Sequence, residues 1–180
     1  MIVARSLKQQ NIAEYLLYMW QVEDIIRAHG LDIDRLDAGY LSRFQLEGDA
    51  HQELREWYEN LIEMMRSEGV TKTGHLQINK NIIILLNDLH AQLLKSSKHP
   101  FYSAAYYKAL PFIVELRQRS HSQDEPEIEN CFDAMYGLMM LRLQGKPVSE
   151  ETQKAMGSIS AFLALLAEYY KKDKAGEVKF

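Results

Sequence analysis

Segment after segment of this chain carries an apolar side chain at every third or fourth position. That spacing is the period of a helix with one buried face, at about 3.6 residues per turn. The alternation that marks a half-buried strand is not found. Helix propensity alone is marginal in water, so such faces must be hidden against one another. The pattern predicts a single all-α domain spanning residues 1–180, a bundle of six or seven mostly antiparallel helices, with the tail from about residue 174 frayed.

The segments can be placed one by one. Asn11 to Ala28 is the densest apolar stretch and stops at His29-Gly30. Asp32 is placed to cap a short helix with Leu36, Tyr40 and Phe44 on one face. Gly48-Asp49 breaks the pattern and offers the next cap. Leu54, Trp57, Tyr58, Leu61, Met64 and Met65 then form a stripe that ends at Gly69. After Thr73-Gly74, the residues Ile78, Ile82, Leu85, Leu86, Leu89 and Leu93 share a face about 100° wide. Pro100 suits the first turn of the next helix, whose inner side is read as Phe101, Ala105, Phe112 and Leu116. Pro111 should kink or divide it. A polar loop follows at Ser120 to Pro126. Ile128, Phe132, Met135, Met139 and Leu143 mark another helix, and Ser149 caps the last, with Met156, Ile159, Phe162, Leu163, Leu166 and Tyr170 inward.

Charge and cysteine content narrow the functional classes. Lys plus Arg is 21 against 25 Asp plus Glu, a formal charge of −4, and no helix shows a clustered basic face. Nucleic acid is therefore not an expected partner. The only basic cluster, Lys171, Lys172 and Lys174, suits the solvated end of a helix dipole. One cysteine, Cys131, rules out a scaffold held by internal disulfides, and its apolar surroundings read as a buried small hydrophobe. The longest purely apolar run, Ile82 to Leu86, is far short of a membrane span, and the start lacks a run of signal-peptide length. A cytoplasmic protein without membrane partners is expected.

No catalytic or cofactor motif is evident. Glu-x-x-His pairs, His-Glu-x-x-His, paired-cysteine zinc motifs, nucleophile elbows and phosphate-cradling glycine loops are all missing. His29, His75, His99 and His121 sit at expected helix ends, where solvated or capping roles are common. Neither a metal nor a cofactor is expected, and no residue is assigned a catalytic role.

The first long helix carries the one chemically unusual feature. Ile12, Leu16, Met19 and Ile26 define its apolar centre, and Glu23 falls close to that centre. Arg27 is one turn on, with Trp20 between them in angle. An ionised carboxylate in a core costs several kcal/mol unless it is paired and hydrogen-bonded. Two readings stand. Glu23 and Arg27 pair at the margin of the core, with another helix or a tyrosine hydroxyl as a further partner for Glu23. Alternatively, Trp20, Glu23 and Arg27 line a ligand-binding pocket. Asn81, Asp88 and Gln92, with Lys108 and Glu115, suggest a second polar seam between helices. Ten tyrosines, including the adjacent pairs Tyr106-Tyr107 and Tyr169-Tyr170, offer one ring inward and one toward a flank, which suits a self-association surface.

The stretch from Asn11 to Arg27, above all Tyr18-Met-Trp-Gln-Val-Glu-Asp24, resembles the opening of the family catalogued as domain of unknown function 4924, found mainly in Bacteroides and relatives. The resemblance implies a single-domain bacterial protein of about this length and brings no activity, cofactor or catalytic residue. The expectation is a non-enzymatic interaction module that binds a second copy or another protein. The alternative is a small-molecule-binding or enzymatic bundle with a pocket near the first helix.

Overall fold

A computed structural model describes residues 2–119 and 125–180. Those residues form eight α-helices and one 3-10 turn, without a strand. The helices are α1 (Ile2–Gln10), α2 (Ile12–Ala28), α3 (Ile33–Gly39), α4 (Gly48–Ser67), α5 (Gln77–Lys95), α6 (Pro100–Arg119), α7 (Glu127–Leu143) and α8 (Glu150–Lys174), with the 3-10 turn at Leu41–Phe44. The count exceeds the expected six or seven because of α1, which, among its described side chains, buries Ala4 and half-buries Ser6 and Leu7. Asn11 joins α1 to α2. Its N–H donates to Leu7 O at 2.8 Å, while its side-chain oxygen accepts from Ala13 N at 3.0 Å. One residue thus closes one helix and caps the next.

Several local signals act where the sequence places them. Asp32 caps α3, and Ser149 caps α8 through Thr152 N. Gly30, at φ +70°, ends α2 in the left-handed region that favours glycine. Asp49 is not a cap, however, since α4 already begins at Gly48. Pro111 does not divide α6. It sits on the exposed side, so the carbonyl of Tyr107 that loses its partner can be solvated. The polar loop expected at Ser120 to Pro126 lies mostly outside the described residues, as does His121.

Helix α8 is the central strut and packs against α2, α5, α6 and α7, while α1 lies on α2 and α3 on α4. Ile159, Phe162 and Leu166 of α8 are wholly buried. Ile82, Leu86 and Phe132 are 5%, 1% and 1% exposed, as hidden stripes require.

Four faces depart from the expected ones. On α7 Leu143 is 65% exposed and Leu138 is buried in its stead. On α5 the inner face is Asn79, Ile82, Ile83, Leu86, Leu89, His90 and Leu93, leaving Ile78 and Leu85 exposed. On α6 the inner residues are Tyr102, Ala109 and Ile113, and Phe101 is 85% exposed. In both helices a buried polar group with a specific partner, Asn79 or Tyr102, turns the helix away from the face that apolarity alone selects. Phe44 is exposed because the 3-10 turn breaks the period and Leu41 takes the inner place. The chain end, expected to fray, has Val178 packed against the core and Lys179 O accepting from His99 Nε2 at 3.1 Å.

Removing a ring from the strut should expose its weight. Phe162→Ala is expected to lower unfolding free energy by about 3–5 kcal/mol in urea titrations. Ile84→Ala, on the exposed side of α5, should change it by less than about 0.5 kcal/mol.

Candidate functional site

Helix α5 begins without a capping side chain of its own, since its N-cap is Leu76. The first N–H groups of a helix have no intrahelical acceptor, and they carry the positive end of its dipole. Two carboxylates from elsewhere serve them. Glu68, just past α4, accepts from Gln77 N at 2.6 Å. Glu23, on α2, accepts from Leu76 N at 3.0 Å through Oε1.

Glu23 is completely buried, and its carboxylate accepts from three donors. Oε1 also accepts from Asn79 Nδ2 at 2.7 Å, and Oε2 accepts from His75 Nδ1 at 2.6 Å. Three donors at the positive end of a helix are what a desolvated carboxylate requires. The expected Glu23–Arg27 pair does not form. Arg27 instead donates to Asp24 Oδ1 at 2.8 Å and to Val70 O at 3.1 Å, and it also reaches Gly74 O. It therefore ties down the connection between α4 and α5.

The His75 ring lies flat on Trp20, with centroids 4.0 Å apart and planes 13° from parallel. Phe132 and Tyr136 of α7 meet Trp20 edge-on at 6.1 and 5.9 Å. Tyr136 donates its hydroxyl to Asp24 Oδ2 at 2.7 Å. His75 is half-buried, so its imidazole reaches the surface, and the ring's remaining nitrogen is Nε2. Nearby on α7 the carboxyl of Asp133 is pushed up to about 6, first by desolvation and then by Glu125, with His75 pulling it back. A carboxylate-held imidazole has one nitrogen fixed as donor and presents the other outward, an arrangement that suits a base or a metal ligand. Among the described residues, no group of three or more His, Cys, Asp or Glu is placed to hold a metal ion.

The three residues expected to bind a ligand are therefore neighbours with different tasks. Trp20 and Glu23 meet through His75, and Arg27 serves the adjoining connection. The clefts between α6 and α8, and those beside α2 and α7, are lined by other residues. His75, Asn79, Asp24 and Tyr136 were not singled out with Glu23 from the sequence. The usable signal was a helix start at residue 76 with no local cap, together with a carboxylate on an apolar face in need of donors.

The second polar seam runs through different residues from those expected. Asn81, Asp88 and Gln92 are exposed, and Lys108 is exposed too. The buried polar contact is His90 with Tyr102, at 2.6 Å from Nδ1 to the hydroxyl. Burial pushes His90 down to about 4 and raises Tyr102 well above its usual range, so both are neutral. The Tyr102 hydroxyl then donates to Nδ1, and Nε2–H points toward Glu127 at 3.8 Å. Cys131 is buried, and burial pushes its thiol up to about 12, which leaves it unreactive as a nucleophile.

Two outcomes follow from these contacts. Glu23→Ala strands the donors of Leu76, Asn79 and His75 and should cost about 3–5 kcal/mol of stability, and Glu23→Gln less than half of that, by urea unfolding. His90 has a folded pKa below its unfolded value, so it withholds stability as pH falls from about 6.5 to about 4. The wild type should therefore lose about 3 kcal/mol more over that window than His90→Gln. Asp133 acts in the opposite direction but is present in both proteins.

No helix is long and apolar enough to cross a membrane, among the described residues. No curated protein and no solved structure matches the chain. The model of a domain of unknown function, number 4924, matches residues 1–177, and the chain belongs to that family.

Proposed function

We propose that this protein is a non-enzymatic interaction module of the bacterial cytoplasm, working by contact with another protein surface. The observation that carries this reading is the outer face of α6. Phe101, Tyr107 and Val114 are 85%, 62% and 44% exposed there, with Ala104 and Pro111 between them. Exposed apolar side chains grouped on one helix of a folded domain suit a site of association, and aromatic rings with polar tips fit that use. A second apolar strip runs beside α2 and α7, where Leu17, Met135, Met139 and Leu143 border a groove, and methionines adapt readily to a partner's shape. The complete burial of Glu23, with three donors on its carboxylate, supports the same reading.

The alternative reading, a bundle that binds a small molecule or acts on one, is favoured by one observation. Glu23 holds Nδ1 of a half-buried His75 against Trp20. In that case His75 is the group to meet a ligand, and Trp20 supplies a flat surface behind it.

The two readings separate in one pair of measurements. A photoreactive residue at position 107 or 143 should give discrete protein adducts in living cells, and one at the exposed polar position 59 should not. Thermal-shift screening with metals and metabolites should leave the melting temperature unchanged. The absence of adducts at both apolar positions, with a ligand shift that disappears in His75→Gln, would establish the alternative.

A further inference from the structure

Resting on the interaction reading, we infer that the outer face of α6 and α8 binds a second copy of this chain, in an antiparallel pair whose two-fold axis passes beside Pro111. The argument is one of register and charge.

On α6, Lys108 and Glu115 lie two turns apart on one edge of the exposed face, and Tyr107 and Val114 lie two turns apart on the other. The midpoint of each pair falls within one residue of Pro111. When two identical helices run antiparallel about a two-fold axis, each residue meets the one equally far on the other side of the axis. An axis at Pro111 therefore sets Lys108 against Glu115 of the second copy along one edge. Along the other it sets Tyr107 against Val114. Both contacts occur twice, and both match in chemistry. Ala104 and Pro111 occupy the middle of the face, where small side chains let two helices approach closely.

Helix α8 extends the same pattern. One cleft of its seam with α6 is lined by Glu115 and Glu151, and the next by Lys108 and Lys154. The face thus has an acidic end and a basic end. The same two-fold axis lays each lysine cleft over the partner's carboxylate cleft. A parallel pairing would oppose like charges, which costs several kcal/mol per juxtaposition. Phe101, at the start of α6, lies at the rim of this contact.

The experiment is sedimentation velocity on the full chain across a concentration series, with charge-reversal variants. The wild type should sediment at twice the 20.9 kDa chain mass. Lys108→Glu and Glu115→Lys should each raise the dimer dissociation constant by about 100-fold or more. The double variant should return to within about tenfold of wild type, and an equimolar mixture of the two single variants should form a mixed dimer. Tyr107→Glu, at an exposed position, should also yield monomers while keeping the wild-type circular dichroism melt, which guards against misfolding of the half-buried Glu115 variant. A wild type of single-chain mass up to millimolar concentration would overturn the inference, as would a dimer unaffected by Lys108→Glu and Tyr107→Glu. Monomeric protein that still forms adducts with a different protein at position 107 would overturn this inference alone and leave the interaction reading standing.

Discussion

A single buried carboxylate secures the part of this fold that its local sequence leaves open. Helix α5 starts without a cap, after a connection from Gly69 to Leu76 that contains little to hold it. Glu23 supplies the missing acceptor from α2, and in return the helix start supplies the donors and the positive dipole that a desolvated anion needs. Either partner alone would be a liability. Together they fix the angle at which α5 leaves the connection, and so which of its residues face the core. Arg27, one turn further along α2, holds the carbonyls of Val70 and Gly74, so the same short stretch of α2 fixes both the connection and the helix that follows it.

Most of the stabilisation nevertheless comes from apolar packing around α8. Burial is non-directional and sets how much the domain gains, whereas the buried polar contacts set its geometry. His90 and Tyr102 illustrate the division. Their hydrogen bond contributes modestly to net stability, but an unpaired hydroxyl in that core would be costly, so α6 is held with Tyr102 inward and Phe101 outward. The exposure of the α6 outer face is thus a consequence of core bonding. An aromatic side chain that could have been buried is displayed because a tyrosine with a partner took the inner position.

The legibility of the sequence follows the range of the interactions. Caps that act on their own helix, such as Asp32 and Ser149, were evident, because the donor lies within three residues of the acceptor. The inner faces of α4 and α8 are largely legible too, since most of their buried residues fall on the apolar stripes. Helix α1 shows no visible period, since among its described side chains only Ala4 and Leu7 pack on the core. The faces of α5 and α6 were read from apolarity alone, and the polar residues that rotate them had partners far away in the chain. Glu23 was recognisable as a carboxylate in an apolar setting. Its partners were not, because His75 and Asn79 lie more than fifty residues away and nothing local points to them.

The sequence by itself determined the class of fold, the places where most helices begin and end, and the presence of one charge that had to be satisfied inside the core. These follow from periodicity, capping and solvation, which act over a few residues or on a single side chain. Only the tertiary structure decided that Glu23 caps α5 and leaves Arg27 to the neighbouring connection, that His75 stacks on Trp20, and that the outer face of α6 is left apolar. Each of those outcomes depends on which helices lie side by side, and a hydrogen bond or a ring stack forms only when packing has brought its two halves within reach.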